Sequence, residues 1–177
     1  MSDESGILKL TPREHIRKRI GMYLYGGKSL YGLHEAIFIV IENAVIQAIN
    51  GNCQQIHVIL HDKQTITIED FGIDTTPYPN EGAGKGIGVW VSNRENHKFT
   101  RYILYGHMGI EVPDVLSTKM DIEVRHHGEV WEYHSHTGIP IDDGKITRPL
   151  IDGESTGVKI TFSPDFDVFE KNDFQVD

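Results

Sequence analysis

Cysteine is nearly absent from the chain: Cys53 is the only one among 177 residues, which excludes an intrachain disulfide. Basic residues are also scarce, because 17 Lys and Arg stand against 26 Asp and Glu and leave a net charge of −9. This deficit disfavours a large footprint on a phosphate backbone, so we expect no direct binding to nucleic acid. The sequence shows no signal-peptide pattern and no apolar run of membrane-spanning length, so we expect a cytoplasmic protein without membrane contacts.

Internal repeats, low-complexity tracts and internal linker-like segments are absent too. The length suits one domain that is large enough to bury a sizeable core. We therefore predict a single domain over residues 1–177, with a short N-terminal arm at 1–10 and an acidic tail at 165–177. Cys53 follows a helix end and is expected to pack as a small hydrophobic residue.

The hydrophobic periodicity changes along the chain. A short amphipathic helix is predicted to begin after Thr11, which forms a capping-box pattern with Glu14, and to end near Gly21. A long helix over residues 32–51 follows, with Gly51 as part of its stop signal. Two hairpins and a last strand are then predicted at "QIHVIL" with "TITIED", at "KMDIEVRHHGEVWEYHSH", and at "GVKITFSP". Helices followed by antiparallel strands indicate an α+β fold with a layered sheet.

One stripe of the long helix has an unexpected polar member. Ile39, Asn43, Ile46 and Gln47 fall on one side of the helix because they are separated by four, seven and eight positions. The amide of Asn43 therefore stands between isoleucines. It either bridges buried backbone groups or contacts a ligand, since buried amides are usually hydrogen-bonded.

Two clusters of titratable residues have ordinary explanations. His134 and His136 are two positions apart on a strand and share a face, and His126 and His127 lie at the hairpin turn. They could form a metal site, but without an accompanying cysteine we interpret them as exposed hairpin histidines and expect no metal. The basic run "REHIRKR" is interpreted as a solvated helix face, because the chain as a whole is acidic.

Eight segments follow one another along the chain: "EHIRKRIGMYL", "GLHEAIFIVIENAVIQAINGNC", "ITIEDFG", "YPNEG", "HKF", "VLSTKMDIEV", "HTGIP" and "STGVKITFSP". In this order they resemble the N-terminal ATPase domain of DNA gyrase B and its topoisomerase IV counterpart, which belong to the GHKL superfamily. The resemblance covers nearly the whole chain. It implies a two-layer GHKL (Bergerat) sandwich, in which helices cover one face of a mixed, mostly antiparallel sheet.

The resemblance also implies which residues of the long helix would face a nucleotide. In the family this helix carries a Glu that activates water and, one turn later, an Asn that helps to hold magnesium and the phosphates. Ile39 stands at the Glu position and Asn43 at the Asn position. An isoleucine cannot accept a proton, and loss of a positioned general base costs about 10²–10⁴ in rate. We therefore expect no ATP hydrolysis.

The segment after the second strand resembles the family's Asp-x-Gly-x-Gly motif, whose Asp accepts a hydrogen bond from adenine. Asp70 and Gly72 match the Asp and the first Gly, whereas Asp74 replaces the second Gly by an anion. Val158 stands where the family has the Thr that supports this Asp. An Asp before a Gly at the end of a strand is also ordinary turn chemistry, so a structural role for Asp70 is the alternative.

The phosphate-binding elements depart furthest from the family. The glycine-rich lid corresponds to "YILYGHMGIEVP", which keeps only Gly106 and Gly109. Glu132 stands where the family has an Arg at the mouth of the pocket. With Asp70, Asp74 and Glu42 expected nearby, the pocket is expected to repel a tetra-anionic nucleotide. We therefore expect no cofactor, and in particular no ATP with magnesium.

These departures favour a non-hydrolysing GHKL pseudo-ATPase that acts as a binding or regulatory module for a protein partner, such as a gyrase-type subunit, or for a small molecule. The residues expected to contact a ligand in the former nucleotide pocket are Asn43, Asp70, Gly72, Asp74, Glu132 and Val158. One alternative is an enzyme that uses Asp70, Asp74, Glu132 and His134 for acid–base chemistry on an uncharged or cationic substrate. Another is a nucleotide binder without hydrolysis. Because gyrase couples ATP to DNA movement through a second domain, we expect no topoisomerase activity from this chain alone.

Overall fold

The computed structural model describes residues 10–49, 51–61, 64–72, 87–89, 102–104, 109–126, 128–141 and 145–170. These residues form an α+β fold, which confirms the predicted class. The helices are α1 (Pro12–Lys18), α2 (Leu30–Ile49) and α3 (Glu111–Val115), and a 3₁₀ turn spans Ile20–Met22. The strands are β1 (Cys53–Leu60), β2 (Ile66–Gly72), β3 (Ile87–Val89), β4 (Tyr102–Leu104), β5 (Ser117–His126), β6 (Glu129–His136), β7 (Ile139–Pro140), β8 (Lys145–Pro149) and β9 (Gly157–Pro164).

Seven of the described strands form one sheet, and each of their described pairings is antiparallel. The order across the sheet is β1-β2-β9-β5-β6-β7, with β8 also paired to β6, while β3 and β4 form a separate two-stranded ribbon. The last described strand, β9, therefore lies between the two hairpins. This position brings the beginning of β9 beside the end of β2.

Both predicted hairpins are confirmed. In the first, β1 pairs with β2 from Leu60 opposite Ile66 onwards. In the second, β5 pairs with β6, and Gly128 takes a φ of +77° in the turn, a conformation that glycine adopts without the steric cost of a Cβ atom.

The short helix α1 begins as predicted. The Thr11 side chain accepts a hydrogen bond from the Glu14 backbone, and the Glu14 carboxylate accepts one from the Thr11 backbone at 2.8 Å. The helix ends at Lys18, earlier than the predicted Gly21, because Arg19 leaves the helical region with φ −128° and ψ 46°. A 3₁₀ turn then continues the chain.

The basic run of α1 is more than a solvated face, which corrects the prediction. Arg13 donates from Nε to the Thr137 carbonyl at 2.5 Å. Arg17 donates to the Val115 carbonyl at 2.9 Å and to the Asp165 carboxylate at 2.6 Å. Two of the basic side chains therefore tie α1 to distant parts of the chain.

Helix α2 supplies the helical layer, beginning two residues before the predicted start. Its buried aliphatic residues recur at helical spacing and are Leu33, Ala36, Ile37, Val40 and Ala44. They pack on β1, β2 and β9. Gly51 follows the helix with a φ of +77°, as its place in the stop signal predicts.

By length and composition alone, α2 also passes a test for a membrane-spanning helix, with a mean hydropathy of 1.4. Because Glu35 and Glu42 interrupt α2, the helix is not a continuous apolar run, and it does not contradict the expectation from the sequence. One side of the helix is buried in the core of the domain, and core helices of soluble proteins pass the same test. The composition of α2 is accordingly weak evidence for a membrane span.

The two faces of the sheet carry different residues, because successive side chains of a strand point to opposite sides. The inner face lies under α2, and one of its cross-strand rows runs Ile68, Ile160, Ile122, Tyr133. The outer face carries the adjacent row Glu69, Lys159, Glu123, Glu132. One face is therefore core and the other is charged.

Residues 165–170, which the sequence assigns to an acidic tail, pack against the domain. The Phe169 side chain is buried in the main hydrophobic core. The Asp165 carboxylate pairs with Arg17, and the Glu170 backbone N–H donates to the Lys28 carbonyl at 2.8 Å. The described part of this segment thus completes the fold.

Candidate functional site

Asp70 lies at the end of the inner face of β2, after Ile66 and Ile68 in the same alternation. Asp70 is buried, with only 3 % of the residue exposed to solvent. The carboxylate Oδ1 accepts a hydrogen bond from the Val158 backbone N–H at 3.1 Å. The backbone of Val158 therefore contacts the carboxylate at the position where the resemblance implies a supporting Thr hydroxyl.

The backbone of β9 approaches Asp70 unusually closely at Gly157. A Cβ atom on Gly157 would lie 2.0 Å from the Asp70 carbonyl oxygen, and the residue has a φ of +144°. Beside it, the Thr156 hydroxyl donates a short hydrogen bond to the Gly72 carbonyl. A Cβ atom on Gly72 would in turn lie 3.6 Å from Asp70 Oδ1. Residues 156–158 thus clamp the end of β2 and fix the Asp70 carboxylate.

Burial raises the pKa of Asp70 from 3.8 to about 6. The hydrogen bond from Val158 and the positive charge of Arg125 act in the opposite direction, and the negative charge of Glu69 adds to the rise. Above this pKa the carboxylate only accepts hydrogen bonds, and below it the carboxyl group can also donate one. Asp70 is therefore a buried group of the inner face that can accept hydrogen bonds and, below its pKa, also donate one.

Asn43 lies on α2 and is 3 % exposed. Among the residues that the structure describes, its side-chain Oδ1 has no hydrogen-bond partner. Leaving a buried acceptor unsatisfied typically costs about 1–3 kcal/mol, so the position is one that a ligand donor or a water molecule would stabilise. Of the two roles predicted for Asn43, bridging of buried backbone by Oδ1 is therefore not seen among the described residues.

A groove of about 480 Å³ runs beside α2. Ile39, the residue at the general-base position of the resemblance, contributes to its wall and is half-buried. The described residues that line it are Tyr23, Leu24, Glu35, Phe38, Ile39, Ile41, Glu42 and Val45. Asn43 and Asp70 are not among the described residues that line this groove, and Asn43 is more deeply buried than Ile39 on the same helix.

Glu132 and His134 lie on the outer face, away from Asp70. Glu132 is opposite Glu123 in the outer-face row, and Asp70 follows the inner-face row. His134 Nδ1 lies 2.7 Å from the Asp121 carboxylate, and its Nε2 lies 3.9 Å from a Glu132 oxygen. The structure therefore does not bring Asp70, Glu132 and His134 together in one cavity, as the acid–base alternative requires.

The remaining predicted positions lie outside the described residues. They are Asp74, which the resemblance places next to the base-binding Asp, and Gly106 of the lid segment. Within the described ranges, no three His, Cys, Asp or Glu side chains group closely enough to hold a metal ion.

Comparison with known proteins finds DNA gyrase B from several organisms. The chain is 33 % identical over 182 residues to this protein from Borreliella burgdorferi, a match that covers 98 % of the chain and 28 % of the relative. Its identity to DNA gyrase B of Haloferax volcanii is 30 % over 169 residues, which covers 91 % of the chain and 26 % of the relative. The chain thus spans little more than a quarter of the length of these relatives. No family model matches it.

A solved structure agrees with these matches. The 43K ATPase domain of Thermus thermophilus gyrase B, in complex with an aminocoumarin, aligns with a TM-score of 0.70 and 25 % identity. The alignment covers 92 % of this chain and 42 % of that one. The chain is a homologue of DNA gyrase B and has the GHKL fold. Both the resemblance and the fold class predicted from the sequence are confirmed.

In this gyrase B homologue, three residues shape the site but were not predicted from the sequence. Gly157 and Thr156 have no distinctive pattern, because their contacts are made with a strand more than 80 positions earlier. Arg125 lies on the outer face, where its Nη2 donates to Glu69 at 2.7 Å and its charge influences Asp70. The available signal for Arg125 is its place in an alternating strand, on the side that also carries Lys119, Asp121 and Glu123.

Proposed function

We propose that this gyrase B homologue is a GHKL pseudo-ATPase, which does not hydrolyse ATP and acts in the cytoplasm as a binding or regulatory module. The observation that carries the proposal is Ile39 at the helix position where the family has the water-activating Glu. Its hydrocarbon side chain can neither accept a proton nor orient water by a hydrogen bond. The bound partner is a protein, such as a gyrase-type subunit, or a small molecule near Asn43 and Asp70, with no cofactor required.

Glu42 is the carboxylate that could replace the missing base, because it lines the same groove as Ile39. It is displaced from Ile39 by three residues, which is about 60° around a helix in the direction away from Asn43. A base must lie within hydrogen-bonding reach of the water it activates, close to the phosphate that Asn43 helps to hold in the family. The placement of Glu42 therefore favours a role in binding over one in hydrolysis.

A specific observation keeps nucleotide binding without hydrolysis as the second candidate. Asn43 Oδ1 is a buried acceptor without a described partner, and Asp70 retains an acceptor suited to an amino group. The enzymatic alternative lacks comparable support, because Asp70 lies on the inner face of the sheet and Glu132 and His134 on the outer face.

The test of the proposal is magnesium-dependent phosphate release from ATP by the purified protein and by the Ile39→Glu and Glu42→Gln variants. We expect no turnover above a mock purification from the parent, and none from Ile39→Glu, since the lid segment also departs from the family. Turnover by the parent that is lost in Glu42→Gln would overturn the proposal and identify Glu42 as the base.

Thermal unfolding with ATP and magnesium separates the pseudo-ATPase from the nucleotide binder. A ligand at one hundred times its Kd stabilises the native state by about 2.7 kcal/mol. For a domain of this size, that corresponds to a rise in Tm of roughly 5–10 °C. We expect almost no rise. A clear rise that disappears in Asn43→Leu would replace the proposal by non-hydrolysing nucleotide binding.

A further inference from the structure

The side of α2 that faces away from the sheet is apolar and exposed. Tyr31, Phe38, Val45 and Ile49 are between 39 and 77 % exposed, and the first three are spaced by seven residues. Residues seven apart lie almost directly above one another on a helix, so these side chains form a continuous stripe. An exposed apolar stripe of this length on a helix that already buries its opposite side is typical of a binding surface.

The groove beside α2 follows this stripe and has carboxylates as its charged lining groups. Phe38 and Val45 belong to both the stripe and the groove, and Leu24 contributes the opposite wall. Among the described lining residues the charged members are Glu35 and Glu42, which lie two turns, or about 10.5 Å, apart along α2. Glu35 is fixed in place because its carboxylate accepts a hydrogen bond from the Gly26 backbone N–H at 2.6 Å.

Ile39 makes the apolar part of this groove continuous. It lines the groove between Glu35 and Glu42, at the position where the gyrase family has a carboxylate. The change that argues against hydrolysis therefore also extends an apolar surface toward the stripe. The loss of ATP hydrolysis and the gain of an apolar binding surface would both follow from the isoleucine side chain at position 39.

We propose that this groove binds a basic, amphipathic segment of another protein, whose apolar side chains pack on Phe38 and Ile39 and whose Lys or Arg side chains pair with Glu35 and Glu42. The inference specifies the partner of the binding module proposed above and rests on that function. Charge complementarity favours a positively charged partner segment, because the described lining contains carboxylates and no Lys or Arg.

A second copy of the chain is the weaker occupant. Each copy carries a net charge of −9, so two copies repel one another at long range. The basic helix α1 is partly committed within its own chain, because Arg13 and Arg17 bind Thr137, Val115 and Asp165. The complementary cations are therefore expected from a different protein.

Fluorescence anisotropy with two labelled model helices tests the inference. Both peptides have about 18 residues and the same leucine face, but one has Lys and the other Glu on its polar face. We expect the full chain to bind the Lys peptide and not the Glu peptide. Equal binding of both peptides, or binding of neither, would overturn the inference.

Matched variants locate the binding. Phe38→Ala is expected to weaken the affinity for the Lys peptide by about tenfold. Val58→Ala, which changes another exposed apolar residue, is expected to leave this affinity unchanged. Glu42→Lys is expected to weaken binding by about tenfold, and Glu129→Lys, which changes net charge equally at an exposed strand position, by less than about twofold. Similar losses in each variant and its control would mean nonspecific attraction and would contradict the inference.

Two further readouts separate the possible failures. Circular dichroism and melting of each variant show whether the fold is intact, which is expected because Phe38 is exposed. Light scattering that detects a dimer abolished by Phe38→Ala would assign the groove to a second copy and overturn the inference. ATP turnover by the parent would refute the pseudo-ATPase proposal without changing the peptide result, whereas absent peptide binding refutes only the groove assignment.

Discussion

Carboxylates on the inner and outer faces of the sheet lie in opposite environments, although the same strands form both faces. On the inner face, Asp70 is buried with one backbone N–H as its described hydrogen-bond donor, and its pKa is raised to about 6 by burial. On the outer face, Glu69 is paired at 2.7 Å with Arg125. Neighbouring carboxylates on one strand therefore differ in burial and charge pairing according to the side of the sheet that they face. Alternation places Asp70 toward the core and Glu69 toward a cation.

The outer face itself is not uniformly solvated. The Arg125 side chain is 9 % exposed, and its guanidinium lies between Glu69, Glu123 and the Phe71 ring, whose centroid is 5.8 Å away. Lys119, by contrast, pairs with Asp121 through a side chain that is 60 % exposed. The charged outer face is therefore buried near Arg125 and Asp70 and exposed toward the beginning of β5, at Lys119.

The largest expected effect comes from a substitution that disrupts the close contact between β9 and β2 on the inner face. In Gly157→Ala, the new Cβ atom would overlap the Asp70 carbonyl oxygen, so β2 and β9 must separate locally. We expect a loss of more than about 4 kcal/mol in the free energy of unfolding, measured by urea denaturation. Gly153→Ala is the control, because it also has a positive φ but meets no atom within 4 Å. Its expected cost is about 1–2 kcal/mol, and equal costs for both variants would refute the role of close approach.

The next effect tests the buried end of the outer face. Arg125→Met removes the cation from Glu69 and Glu123 while keeping an apolar stem, so it leaves carboxylates without their partner. We expect a loss of about 3–4 kcal/mol in chemical denaturation. Arg148→Met removes a cation that binds Glu154 through two hydrogen bonds near the surface and should cost much less. A loss in Arg125→Met no greater than in Arg148→Met would mean that the two ends of this face are energetically alike.

The smallest of the three effects concerns the pH dependence of the inner face. Because the folded-state pKa of Asp70 is raised to about 6 from 3.8, the folded state holds its proton more tightly than the unfolded state. The stability from Asp70 is therefore present below about pH 4 and is lost as pH rises through 6. The loss totals about 3 kcal/mol for a shift of this size.

Unfolding free energies of the parent and Asp70→Asn, measured from pH 4 to pH 8, isolate this contribution. The difference between the two proteins should change up to about pH 6 and then level off. Burial also raises the pKa of Asp114, so the Asp70→Asn protein keeps a pH slope that Asp114→Asn should reduce. Parallel curves for the parent and Asp70→Asn would contradict the buried-carboxylate interpretation.

Much of the fold follows from local sequence. The Thr11 cap, the helical spacing of Leu33, Val40 and Ala44, and the glycine in the turn at Gly128 each act over a few residues, and the structure confirms them. The resemblance to the gyrase family added the sheet architecture and the position of Asp70. The end of α1 escaped prediction because Arg19 leaves the helical conformation before Gly21. The bonding of Arg13 and Arg17 escaped it because their partners lie elsewhere in the chain.

For the candidate site, the sequence by itself determined the residue types: an isoleucine at position 39, an amide at 43 and a carboxylate at 70. It also determined that an alternating strand would place His134 and His136 on one shared face. Only the tertiary structure decided that this is the outer face, that β9 enters between the hairpins, and that Gly157 presses on Asp70. The physical reason is range: periodicity and turn chemistry act within a few residues, whereas desolvation and close packing depend on which distant strands become neighbours.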